Sequence, residues 1–311
     1  MNKTLFMTYK KIIPERVMKR WETLNPSYTI DFSVDEQCID FLKDECNLNL
    51  VNMFIMIPRG MFKADLWRMA KLYHNSGTYC DVDLIPNKSL DDVKSYAPKA
   101  TFISIQGLLK NSIFQAYMDI KNKYNPLLLA CMIDFLVKKP FLFSTLGPTM
   151  SMYNVLKYNV KKDLVPYTYY TIDEVRININ INTSKNDEKI IPLYYFPPNQ
   201  KYKVELVTDE KIKNPHTFSF YIKHNFLYVT KMSEACVKEE GCEVKKGWEE
   251  NYSCDIILEA NETIYLFEET VENIETEPKW KYAYVTNDKK EKIMDSRDLE
   301  YLNDEKRNGW D

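Results

Sequence analysis

Two aspartates one residue apart, Asp81 and Asp83, close the run Thr78-Tyr79-Cys80-Asp81-Val82-Asp83. Read as a strand over 78–84, this spacing puts both carboxylates on one face, because strand side chains alternate with period two. Two carboxylates at the C-terminal end of a strand can hold a hard divalent cation through oxygen and leave positions for water and a diphosphate. Open α/β sheets bind ligands at that edge. Just upstream, Asp65 and Arg68 lie one turn apart on a helix expected from about Pro58 to Asn75. Its apolar face includes Phe62, Leu66, Met69, Ala70 and Tyr73, and Gly77 suits its C-terminal cap. On residue types alone, blander readings stay open. Asp-x-Asp arises often by chance, and Asp65 with Arg68 can be a surface pair worth about 0.2–0.5 kcal/mol. His74, near the helix end, suits the helix dipole better than a metal.

The elements that must position these residues follow from periodicity and punctuation. Thr4–Tyr9 reads as a buried strand, and Pro14–Leu24 as a helix with Pro14 in its first turn. Thr29–Phe32 reads as a second strand and Val34–Cys46 as a helix. Thr101–Ile105 and Phe141–Thr145 are further strand candidates, and Met118–Lys138 reads as a helix broken near Asn125-Pro126. Strands alternating with helices predict an α/β body with a largely parallel sheet. Beyond it, DIILEA (255–260), ETIYLF (262–267) and KYAYVT (281–286) read as short strands of a small β-rich module. Charge divides the chain in the same way. Residues 1–230 hold 30 Lys/Arg against 23 Asp/Glu, and residues 231–311 hold 12 against 22. A basic domain over 1–230 and an acidic module over 231–311 are expected.

Composition excludes several classes. The 311 residues are 45% hydrophobic and 28% charged, which supports a sizeable core and argues against global disorder. A net charge of −3 is a poor match to a nucleic-acid coat, and no nucleic-acid partner is expected. The seven cysteines are scattered, with no CxxC pair, so neither a zinc ribbon nor a disulfide framework is suggested. No run approaches the roughly 18–20 apolar residues of a spanning helix, and the N-terminal apolar stretch is too short for a signal sequence. A cytoplasmic location and no transmembrane segment are therefore expected.

The central segment resembles the sugar-binding region of a DxD-containing glycosyltransferase family. That family includes yeast-type α-1,6-mannosyltransferases and many bacterial and viral enzymes. Its pattern stands here as KADLWR at 63–68, LY at 72–73 and SGTYCDVD at 76–83, with Ser76 in place of the family's first glycine. The opening TYKKIIPERVMKRWETLNPSYTIDF, the segment IFQAYMDIKNKYNPLL, Gly147-Pro148, YYFPP and YIKHNF extend the resemblance over about 1–230. The spacing of Asp65, Arg68, Tyr79, Asp81 and Asp83, with IxQAxxxxK at 113–121, is also similar to the large clostridial glucosylating toxins.

The resemblance implies a GT-A-type fold with a central mixed, mostly parallel sheet. It also implies a retaining, metal-dependent transfer of a hexose from a nucleotide-diphospho-sugar to an acceptor hydroxyl. UDP-glucose or another UDP-hexose is favoured over a GDP-sugar, and the acceptor is a glycan, protein or lipid. Tyr9 is implied to stack on the nucleobase, and Asp65 and Arg68 to bind sugar hydroxyls with Tyr79 nearby. Gln115 is implied beside the sugar, where the preceding toxin asparagine is Phe114 here. Asp81 is implied near the ribose and the metal-bound water, and Asp83 as the direct ligand of Mn²⁺ or Mg²⁺. His224 is implied as a further ligand, although the Ser-Trp that follows it in the family is missing. Two rival readings are a metal-dependent phosphohydrolase and an inactive sugar-nucleotide-binding module.

Overall fold

A computed structural model describes residues 3–142, 144, 146–181, 189–192, 195–197, 200–207, 215–223, 226–232, 243–248, 252–269, 281–285 and 291–294. The chain runs β1 (Lys3–Thr8), α1 (Glu15–Leu24), β2 (Tyr28–Ser33), α2 (Asp35–Glu45), α3 (Leu48–Met56), α4 (Gly60–Asn75), β3 (Gly77–Cys80) and β4 (Leu84–Ile85). It continues through α5 (Leu90–Ser95), β5 (Phe102–Gln106), β6 (Ile113–Ile120), α6 (Pro126–Lys138), α7 (Gly147–Val160), β7 (Tyr169–Ile181), β8 (Lys189–Pro192) and β9 (Tyr202–Val207). The remaining strands are β10 (Pro215–Lys223), β11 (Phe226–Met232), β12 (Glu243–Trp248), β13 (Tyr252–Glu268), β14 (Lys281–Val285) and β15 (Glu291–Met294).

Two units divide the chain. One comprises Met1–Ile172 with Asn261–Asp311, and the other Asp173–Ala260. The divisions fall at 172/173 and 260/261, whereas the charge contrast suggests a boundary near 230. Charge records which residues meet solvent, while the units follow strand pairing. Ile264–Glu268 of β13 pair in parallel with Phe102–Gln106 of β5. Part of the acidic segment thus lies within the central sheet of the first unit.

That sheet orders its strands β2-β1-β3-β6-β5-β13 within the first unit. β1 pairs in parallel with β2 and β3, β5 in parallel with β13, and β6 runs antiparallel between β3 and β5. The α/β class with a mostly parallel mixed sheet is as expected. One face buries Leu5, Met7, Trp21, Cys80, Ile103 and Phe267 beneath α1 and α5. On the other face α4, α6 and α7 pack together and against β6. A short sheet joins β4 to β14 and β15, with Leu84 opposite Tyr282. In the second unit β8, β11, β10 and β12 form an antiparallel sheet, and β9 pairs with Ser253–Leu258 of β13. The expected DIILEA and ETIYLF runs are one 17-residue strand.

Three local expectations are corrected. Met118–Ile120, expected to open a helix, instead end the strand β6, and the helix begins only at Pro126; IFQAYMDI is buried on both faces and its apolar run carries no period. Pro140–Leu142 form a single 3₁₀ turn rather than a strand. The strand over 78–84 stops at Cys80, and Leu84 N–H donates to Asp81 O at 3.2 Å, which closes a turn over Asp81–Leu84. Aspartate is a favoured turn residue, so the two carboxylates share a turn and not a strand face. Among the described residues no helix is long and apolar enough to cross a membrane.

Candidate active site

The expected residues gather at the C-terminal edge of the parallel strands. Register places Leu5 beside Thr78 and Phe6 beside Tyr79, so the chain leaves β1 at Tyr9 and β3 at Asp81 on the same edge. Tyr9 is half-buried, and its N–H donates to Ser33 O at 3.2 Å beside the end of β2. Asp81 N–H donates to Ala116 O at 2.8 Å, which ties the aspartate turn to β6.

α4 supplies the charged centre. Its C-terminus turns sharply into β3 through Ser76, at φ 57° and ψ 174°, and Gly77, at φ 115°. A Cβ on Gly77 would meet Thr4 O and the Phe6 ring at 3.0 Å, so this position requires glycine. Ser76 holds a backbone conformation that belongs almost wholly to glycine. The tight turn lays α4 back across the sheet. Lys71 clamps it by an ion pair to Asp31 at 3.0 Å and by lying over the rings of Phe6, Phe41 and Trp67.

Asp65 and Arg68 are thereby buried and do not form a surface pair. The Arg68 guanidinium lies 3.3 Å from Asp65 Oδ1 and 3.2 Å from Asp81 Oδ1. It also donates to Gln115 O at 2.6 Å and to Ala64 O at 3.2 Å, and stacks 4.5 Å from the Tyr79 ring centroid. A buried cation needs such a set of partners, and the planar fork of arginine can satisfy several at once. Burial works against its charge, but Asp81, Tyr79, Asp65 and Asp83 outweigh it and hold the pKa above the ordinary value. Tyr79 O–H donates to Asp81 Oδ1 at 2.6 Å, and burial pushes its own pKa well up. Burial also raises Asp65 to about 6, against the attraction of Arg68.

Gln115 lies under this centre. Its Nε2 donates to Pro148 O at 3.2 Å, and its buried Oε1 has no hydrogen-bond partner among the described residues. Phe114, one residue before, packs against the core on the far face. Pro148 was not expected as a site residue, although the Gly147-Pro148 pair marks the place. A Cβ on Gly147 would come within 2.1 Å of Pro140 O, so only glycine lets α7 start close enough for Pro148 O to reach Gln115.

Asp83 completes the turn, with one carboxylate oxygen buried. Its charge is felt by Arg68. Among the described residues no group of three or more His, Cys, Asp or Glu side chains is disposed to hold a metal. Two hard carboxylates in one turn still suit Mg²⁺ or Mn²⁺, which keep waters and accept phosphate oxygens as the remaining ligands. His224 lies outside the described residues. His74 packs against Phe41, Tyr73 and Tyr124, and burial lowers its pKa, which weakens its expected role as a charged dipole partner.

Comparison with known proteins gives three findings. Residues 14–100 match the family model described as a glycosyltransferase sugar-binding region containing the DXD motif. The initiation-specific alpha-1,6-mannosyltransferase of Candida albicans (strain SC5314 / ATCC MYA-2876) is 29% identical over 101 residues. That match covers 29% of this chain and 26% of the relative, so it spans about a quarter of the relative's length. The solved PaToxG glycosyltransferase aligns with 51% of this chain and 70% of its own, at 13% identity and a TM-score of 0.39. The likeness to DXD-containing glycosyltransferases is thus found over residues 14–100, the stretch that holds Asp65, Arg68, Tyr79, Asp81 and Asp83.

Proposed function

We propose that this chain is a metal-dependent, retaining glycosyltransferase of the GT-A type. It moves a hexosyl group from a nucleoside-diphosphate sugar, a UDP-hexose in preference to a GDP-sugar, to an acceptor hydroxyl. The observation that carries the reading is the buried Arg68, held between Asp65 and Asp81 beside the Asp81–Asp83 turn, within the matched region.

Roles follow from the chemistry of each group. Tyr9 stacks on the nucleobase at the end of β1. Asp65, once ionised, accepts hydrogen bonds from sugar hydroxyls, and Arg68 fixes both Asp65 and Asp81. The Oε1 of Gln115, buried with no hydrogen-bond partner among the described residues, accepts a further sugar hydroxyl, and Tyr79 orients Asp81. Asp83 and Asp81 would hold Mn²⁺ or Mg²⁺, with His224 as a third ligand. When bound, the cation offsets negative charge on the departing diphosphate. In the transfer, the bond from the anomeric carbon to the diphosphate oxygen breaks on the face where the acceptor oxygen attacks. The acceptor proton passes to the departing phosphate. Arg68 engages Asp65 Oδ1 at 3.3 Å and draws on its negative charge, which disfavours Asp65 as a covalent nucleophile and supports this front-face route.

The test is a panel of UDP- and GDP-sugars with Mn²⁺, read by nucleotide release with and without acceptors. Sugar-dependent release of UDP is expected, and release of inorganic phosphate alone would favour a phosphohydrolase. Asp83→Ala should abolish release and Mn²⁺-dependent UDP binding while the far-UV spectrum is unchanged. His224→Ala should weaken Mn²⁺ affinity less than Asp83→Ala. Full release in EDTA would end the metal reading.

A further inference from the structure

Six large apolar side chains on the first unit are 39–71% exposed and belong to neighbouring segments: Ile55, Met56 and Met61 beside the start of α4, and Leu142, Leu146 and Met150 at the start of α7. Packing beneath them makes them one surface. Phe62, next to Met61, lies 6.1 Å from the Phe141 ring, next to Leu142, and Phe141 lies 5.4 Å from Phe135. Gly147 abuts the Pro140 carbonyl, which brings Leu146 to Leu142, and Met150 follows one turn on, its N–H donating to Leu146 O.

The two stretches that carry this surface have charge of one sign. Residues 47–64 contain Arg59 and Lys63 and no acidic residue, and residues 135–162 contain five lysines and no acidic residue. Arg59 and Lys138 are exposed and Lys139 is half-buried at the rim. Nearby carboxylates are occupied. Asp134 is buried against Lys138 and Ser151, and Asp35 faces Lys63 at 3.7 Å. An apolar centre flanked by cations, with Asp134 and Asp35 held in ion pairs, complements an anionic lipid surface, where side chains enter the acyl boundary and lysine and arginine meet headgroups.

We propose that this face docks on the surface of a bilayer containing anionic lipid. The docking is independent of transfer. If the function proposed above holds, it also brings the sugar site close to the membrane, because Met61 lies one turn before Asp65 on α4.

The experiment is sedimentation of the full chain, without donor or metal, with phosphatidylcholine vesicles that contain or lack phosphatidylserine. Binding is expected only with phosphatidylserine and should weaken as salt is raised. Lys138→Glu or Arg59→Glu should lower the partition coefficient roughly fivefold or more. The exposed pair Leu142→Asp with Leu146→Asp should lower it by about tenfold to a hundredfold. Far-UV spectra and melting curves check that each variant folds, and Leu142→Ser with Leu146→Ser serves if the aspartates do not. The proposal is overturned if the chain ignores phosphatidylserine at low salt or if folded variants bind like the parent. It is equally overturned if sedimentation velocity shows a dimer that Leu142→Asp dissociates, since the face would then pair two copies.

Discussion

Replacing Asp65 by asparagine should strengthen the fold and weaken the reaction, and pH separates the two effects. Burial holds the Asp65 carboxyl at about 6, against 3.8 in the open chain. Between those values the native state binds more protons than the unfolded state, so stability falls as pH rises from about 4 to about 6. The difference of about two units, at 1.36 kcal/mol each, is a cost of roughly 3 kcal/mol for the ionised form at neutral pH. Asparagine keeps the shape and cannot ionise. Urea unfolding of Asp65→Asn and parent should therefore agree near pH 4 and diverge through pH 6, the variant becoming more stable by up to about 3 kcal/mol. Sugar transfer should fall about 10- to 150-fold, the loss of one charge-assisted hydrogen bond worth about 1.5–3 kcal/mol. Binding of free UDP with Mn²⁺, measured by calorimetry, should change far less. A stability difference that is flat with pH, or of opposite sign, would refute the assignment of the strain to Asp65. Normal transfer would refute its contact with the sugar, and an equal loss of UDP binding would move it to the nucleotide.

Three further outcomes are expected. Tyr9→Ala should weaken UDP binding by about 1–3 kcal/mol, the range of base–aromatic stacking, and Tyr9→Trp should be tolerated; unchanged affinity would place the base elsewhere. Ser76→Gly should raise stability by about 1 kcal/mol, since it relieves a backbone conformation that glycine alone adopts freely, and a loss of stability would show that the Ser76 hydroxyl bond to Asn75 O outweighs the strain. A chain ending at residue 230 should fail to fold cooperatively, because it lacks the β13 strand that carries buried Ile264, Leu266 and Phe267; a cooperative melt and intact donor release would show the tail to be separable.

Much of the central site is legible from residue types. The apolar stripe of α4, the Gly77 turn and the paired aspartates sit close together in sequence, and local rules govern each. What was not legible depends on partners far along the chain. The end of β6, Met118–Ile120, looks helical because both faces of the strand are covered, one by α4 and α7 and the other by the core, which erases the alternation that marks a strand. α3 escapes notice for a similar reason, its nine residues LNLVNMFIM being mostly apolar around the whole helix. The burial of Asp65 and Arg68 is invisible in an i,i+3 spacing, because it comes from the Gln115 carbonyl 47 residues away and from the turn that follows β3. Nor could charge reveal the place of β13, whose inner half is apolar while its neighbours in sequence are acidic.

Arg68 grips residue 115 by its main-chain carbonyl and not by its side chain. Any residue at 115 presents the same carbonyl, so the anchor of the charged centre does not depend on what stands there. Among the described residues, the side chain at 115 is held by Pro148 O alone, through Nε2. If residue 115 meets the sugar as proposed above, substitutions at this one position would alter donor preference while the Asp65–Arg68–Asp81 geometry stays constant. Under that reading, recognition of the sugar is separable from the charged centre that carries the chemistry.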